Sequence, residues 1–161
     1  MSVRIAIAVA SALALSGCAS PTVPLSIGFP SQEAFLVTST IDVVAVPLEG
    51  DLSRCPALLG DAIRGIEVPA SSASLGLVPC DVRAGAVLPD PGGGAHAFIV
   101  LGRATNGIIL GGCAVGEAYP GGPPIQVDLF PTVTADYAAA VTAAHLAPGS
   151  TADQRCGGSM P

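Results

Sequence analysis

Two strand-like runs on either side of a tight-turn tripeptide constrain this chain more than any other feature. Ala95–Ala104 (AHAFIVLGRA) and Ile108–Val115 (IILGGCAV) flank Thr105-Asn106-Gly107. Asn-Gly tolerates the positive φ values that short hairpin turns require, so the segment predicts a β-hairpin. A competing reading makes 95–115 a membrane-spanning helix. Arg103 and Asn106 would then lie near its middle, where an arginine costs about 2.5 to 3.5 kcal/mol, and Gly102, Gly107, Gly111 and Gly112 would weaken the helix. The hairpin is the better reading. A third run, Pro124–Phe130 (PIQVDLF), alternates Ile125, Val127 and Leu129 with Gln126, Asp128 and Phe130 and ends at Pro131. It is expected to extend the hairpin into a three-stranded antiparallel meander.

The rest of the chain is short pieces between breakers. Half the residues are hydrophobic, which argues against disorder, while 20 Gly and 15 Pro in 161 residues argue against long helices. Phe35–Val46 (FLVTSTIDVVAV) reads as a strand ending at Pro47, with neither face cleanly polar. Cys55–Gly65 reads as a short helix, with Ser53 as cap, Pro56 in the first turn and Gly65 as stop. Residues 66–68, 75–78 and 86–88 read as short strands or extended pieces. Thr134–Leu146 (TADYAAAVTAAHL) is the best helix, with Thr134 as N-cap, Pro148-Gly149 as stop, and Tyr137, Ala140, Val141 and Ala144 on one side. The sum is one mainly β domain, a small antiparallel β-sandwich with one or two short helices.

The N-terminus reads differently. Arg4 precedes an apolar run, Ile5–Leu15 (IAIAVASALAL), interrupted only by Ser11. At 1.5 Å per residue it rises roughly 16 Å, about half the hydrocarbon core, so it is too short to anchor and matches the core of a secretory signal. Leu15-Ser16-Gly17-Cys18 resembles the lipobox of bacterial lipoproteins. The resemblance implies cleavage after Gly17 and acylation of Cys18 by thioether-linked diacylglycerol and an N-linked chain such as palmitate. Several chains at about 0.8 kcal/mol per buried CH₂ give lasting attachment. Ala19, following the cysteine, fits sorting to the outer membrane. Residues 1–17 are thus expected to be a signal peptide, 18–33, with Pro21, Pro24 and Pro30, a tether, and 34–161 the folded domain.

Four cysteines remain, Cys55, Cys80, Cys113 and Cys156. In an exported chain an even set implies two disulfides, with three pairings open to them. Zinc has little support, because no C-x-x-C or H-x-x-x-H spacing joins the cysteines to His96 or His145. No cofactor is expected. The chain has no Lys, its formal net charge is -6, and loss of Arg4 makes it more negative, so nucleic-acid binding is excluded as a class. Nucleophile-elbow, P-loop and zinc-protease motifs are absent, and Gly92-Gly93-Gly94 precedes a strand instead of a helix.

His96–Arg103, followed by Gly112-Cys113 and a Val-Asp-Leu strand, is similar to a pattern in uncharacterised, cysteine-containing lipoproteins of myxobacteria and their relatives. The resemblance spans roughly residues 35–131 and implies an immunoglobulin-like or transthyretin-like sandwich without an established reaction. Two functions follow as expectations. The first is an outer-membrane lipoprotein, held in the bilayer through Cys18, with a non-catalytic sandwich that serves envelope structure or binds an envelope protein or ligand. The alternative is a secreted ligand-binding or hydrolytic domain, with Asp42, Asp128 and His96 around one pocket.

Overall fold

The computed structural model describes residues 20–69, 71–105 and 107–157. Gly17, Cys18 and Asn106 lie outside them, as does the signal segment. The expected hairpin is present as β5 (Ala95–Ala104) and β6 (Gly107–Glu117), antiparallel, with Ile99 opposite Cys113 and a bulge after Gly102. It forms the centre of a five-stranded sheet of order β3-β2-β5-β6-β8, built with β2 (Thr40–Pro47), β3 (Ala73–Leu77) and β8 (Phe130–Pro131). A second, three-stranded sheet has the order β4-β1-β7, from β1 (Thr22–Gly28), β4 (Val87–Pro89) and β7 (Ile125–Asp128).

The two sheets enclose the main core. Val23, Leu25 and Ile27 of β1, Leu88 of β4 and Val127 of β7 meet Ile41, Val43 and Ala45 of β2 and Phe98 and Val100 of β5. The other face of the large sheet is also covered. Helix α2 (Cys55–Ile63) lays Leu58 and Ala62 on Val46, Ala97, Ile99 and Leu101. A strand buried on both faces needs no polar alternation, which is why β5 is apolar from Ala97 to Leu101. Among the described residues no helix is long and apolar enough to cross a membrane.

Several expectations need correction. The tether assigned to 18–33 is strand from Thr22 on, so the fold begins well before residue 34. Pro24 concealed it. Leu25 donates its N–H to Ala86 on the β4 side, so the nitrogen of Pro24 faces the opposite edge, where β7 pairs only from Leu25 onward. The missing donor therefore costs no ladder bond. The strand expected over 35–46 begins at Thr40, because Gln32–Val37 forms helix α1. Ser31 starts that helix by accepting from the Ala34 N–H at 3.0 Å, and the Thr38 hydroxyl closes it on the Ala34 carbonyl at 2.7 Å.

The meander is also revised. The run 124–130 leaves the hairpin: β7 joins the other sheet, parallel to β1, and only Phe130–Pro131 pairs with β6. This strand switch is possible because Gly112 lacks a side chain. A Cβ there would lie 3.0 Å from Val127 Cγ1, 3.1 Å from Leu129 Cδ2, and against the Asp128 carbonyl. The structure is mainly β with two facing sheets, but the sheets are not wholly antiparallel. Five short helices, not one or two, lie among the described residues, adding α3 (Pro79–Gly85), α4 (Thr134–Ala143) and α5 (Ala152–Arg155). Helix α4 packs Tyr137, Ala140 and Val141 as expected, whereas Ala144 is exposed and Val133, not Thr134, is its N-cap. Ser53 does not cap α2 but binds Asp51.

The four cysteines form Cys55–Cys113, which fastens α2 to β6, and Cys80–Cys156, which fastens α3 to α5.

Candidate functional site

Helix α2 has nine residues, roughly 14 Å at 1.5 Å each, and is too short to cover the outer face of the large sheet. Gly65, at φ +72°, ends it and turns the chain into 66–69. What stays open is a groove of about 440 Å³ between the end of α2 and strands β2, β3 and β5. Val44, Ile99 and Leu101 form its apolar floor, and half-exposed Ile66 stands at its rim.

At one end of the groove, Arg103 Nε donates to Asp42 Oδ2 at 2.6 Å. The sheet register produces this pair: Thr40 faces Arg103 and Asp42 faces Leu101, so the two side chains are diagonal neighbours on one face. Both are about two-fifths exposed, so the pair contributes on the order of 0 to 1 kcal/mol. Its chemistry is that of a polar rim above an apolar floor. Such a groove suits an apolar or amphipathic group with a hydrogen-bonding end.

The residues grouped as a carboxylate–histidine pocket are not brought together. His96 faces Pro47, five positions along β2 from Asp42, a separation of roughly 16 Å at 3.3 Å per residue. The odd offset also puts them on opposite faces of the sheet. His96 is 2% exposed, and its Nδ1 donates to the Gly94 carbonyl at 2.9 Å. Asp128, on the smaller sheet, accepts from Gln126 Nε2 at 3.0 Å. His145 is exposed and, at φ +45°, takes the left-handed position that terminates α4. Among the described residues no three His, Cys, Asp or Glu side chains converge as a metal site.

A second cleft, of about 480 Å³, lies between α1, α3 and α5. Ile27, Phe29 and Phe35 line it on one side, and the Arg83–Asp153 ion pair closes the other. Arg155 stands beside it, with its guanidinium carbon 5.5 Å from the Phe35 ring centroid. Burial lowers the pKa of Arg155 below the usual arginine value.

Sequence reasoning missed both arginines as organising residues. For Arg103 a signal existed: a lone cation in an apolar strand calls for an anionic neighbour, and Asp42 was one of the two acids, with Asp128, placed in strands. For Arg155 there was none, since its partners are main-chain carbonyls. The chain matches no known protein-family model, no curated protein and no solved structure.

Proposed function

We propose that this chain is an envelope lipoprotein, acylated on Cys18 and sorted to the outer membrane, whose sandwich binds a ligand or envelope protein and performs no chemistry. The observation that carries the reading is Leu15-Ser16-Gly17-Cys18 at the end of a short apolar run behind Arg4. Two disulfides in one small domain support it, since such bonds persist in oxidising compartments.

Strand β1 starts four residues after Cys18, and four residues span at most roughly 14 Å. A domain anchored there rides close on the bilayer, with the start of β1 towards the lipid. The groove beside Asp42 and Arg103 gives the binding reading an address; the separation of Asp42, His96 and Asp128 favours it over hydrolysis. Under the same proposal the two sheets are of the immunoglobulin-like or transthyretin-like kind that the resemblance over roughly residues 35–131 implies, altered by the parallel β1–β7 pair.

The test is metabolic labelling with palmitate, together with detergent partitioning and membrane fractionation, of the chain and of Cys18→Ser. The unaltered chain takes the label and enters the detergent phase and the outer-membrane fraction; Cys18→Ser stays unlabelled and aqueous. An unlabelled parent chain, or a variant that partitions like the parent, overturns the anchor.

A further inference from the structure

The outer edge of β6 is paired over only part of its length. Ala95 accepts from the Leu48 N–H, so odd-numbered residues of β5 turn their main-chain groups towards β2 and even-numbered ones towards β6. His96 faces Gly116 and Phe98 faces Ala114, so even-numbered residues of β6 bond β5 and odd-numbered ones point outwards. The Ile109 carbonyl obeys this rule by accepting from Thr132 at 3.0 Å. Strand β8 pairs only Leu110 and Gly111. Cys113, Val115 and Glu117 therefore present three N–H and three C=O groups along an open edge, without partners among the described residues.

Open edges in monomers are ordinarily guarded by Lys, Pro or a bulge. Gly112–Glu117 holds none of these, only one charge at its end. We propose that a second copy of this chain pairs antiparallel along this edge, about a twofold axis through Val115.

That register is self-complementary. Val115 faces its own counterpart and Cys113 faces Glu117 of the other copy, so all three residues of each edge exchange both main-chain bonds. Glu117 never meets itself. The register carries the chain after Glu117 of one copy towards Phe130 of the other. Tyr119 and Phe130, 57% and 65% exposed, are the two most exposed large apolar side chains among the described residues, and this junction covers them. The axis is perpendicular to the sheet, so both smaller sheets, and both starts of β1, lie on one side of a continuous ten-stranded sheet. Two anchored copies can thus share one bilayer, although the dimer itself does not depend on the anchor.

The experiment uses the full chain carrying Cys18→Ser, with both disulfides intact, in sedimentation equilibrium at concentrations up to about 100 μM. Dimer is expected, with slow amide exchange at Cys113, Val115 and Glu117. Val115→Pro removes the central outward N–H but no bond to β5. It should give monomer, fast exchange at Cys113 and Glu117, and continued protection at Gly112 and Ala114. Should proline disturb folding, Val115→Lys and Val115→Glu supply a second arm. Each places like charges opposite one another and weakens its own dimer several-fold, and mixing the two restores association. A monomeric parent chain, a Val115→Pro dimer as tight as the parent, or charge variants that associate equally alone and mixed would each overturn the proposal. Capture of an extended peptide by a monomeric parent would count against it in the same way.

Discussion

Arg155 caps the helix that contains Phe35, from the far end of the chain. Its guanidinium donates to the Phe35 carbonyl, to Leu36 O at 2.9 Å and to Thr38 O at 2.6 Å, and it lies over the Phe35 ring. These are the last carbonyls of α1, which have no partner within the helix. A cation also meets the negative end of the helix dipole there. Arg155→Met keeps much of the apolar stem and removes the donors, so it should lower stability by about 1 to 3 kcal/mol in thermal or denaturant unfolding. Arg155→Lys, with a single nitrogen, should recover only part of that loss. An unchanged midpoint for the methionine variant would show that the three bonds contribute nothing.

The same residue is coupled to its neighbour Cys156. The disulfides enclose sequence separations of 58 and 76 residues, and in the chain-entropy model each stabilises by roughly 4 kcal/mol. The Cys80–Cys156 bond holds α5 in place, so Arg155 is positioned by it. Replacing both cysteines by alanine should free the segment after Ser150 to proteolysis and destabilise the domain. In that background Arg155→Met should cost less than in the parent, giving a coupling of about 0.5 to 3 kcal/mol in a double-mutant cycle. Strict additivity would mean that the disulfide and the arginine act independently.

Two glycines in the large sheet predict opposite responses to one added methyl group. At Gly112 a Cβ would meet the Asp128 main chain, Val127 and Leu129, none of which can move without displacing β7. Gly112→Ala should cost about 1 to 3 kcal/mol and shift the β7 resonances. At Gly76, on the edge strand β3, no atom lies within 4 Å of the added carbon. Gly76→Ala should be neutral or stabilise by up to about 1 kcal/mol, because alanine loses less chain entropy on folding. Equal effects at the two sites would contradict the close passage of β7 over β6.

These contacts show where the sequence was legible. The hairpin was readable because Asn-Gly and two long apolar runs give the same answer locally. Helix α4 was readable from its alanines, but it ends at Ala143, where left-handed His145 turns the chain, and not at the expected Pro148-Gly149 stop. Strand β1 was hidden, since proline marks a break unless one knows which edge its nitrogen faces. Helix α1 was hidden too: Phe35, Leu36 and Val37 read as strand, and the Ser31 and Thr38 side chains outweigh that preference only once Phe35 is packed. The disulfide pairing, the departure of β7 from the meander and the Asp42–Arg103 diagonal depend on tertiary packing and sheet register, which no local pattern specifies.

The turn before α2 carries a pH dependence of known sign. Asp51 accepts from the Ser53 hydroxyl at 2.7 Å and the Ser53 N–H at 3.1 Å. The hydroxyl contact, then the main-chain one, holds the Asp51 carboxyl below the ordinary aspartate range; Arg54 adds to this and desolvation opposes it. A carboxyl with a lowered folded value contributes its stabilisation in full above the unfolded aspartate pKa. That contribution is lost as pH falls through the lower folded value. A carboxyl-detected NMR titration should place the Asp51 midpoint below that of an unstructured aspartate, and the Ser53 amide shift should follow it. Ser53→Ala removes the larger contact but keeps the main-chain donor, so the midpoint should move up only part of the way to the ordinary range. A midpoint at or above that range in the parent chain would mean that Asp51 does not cap this turn in solution.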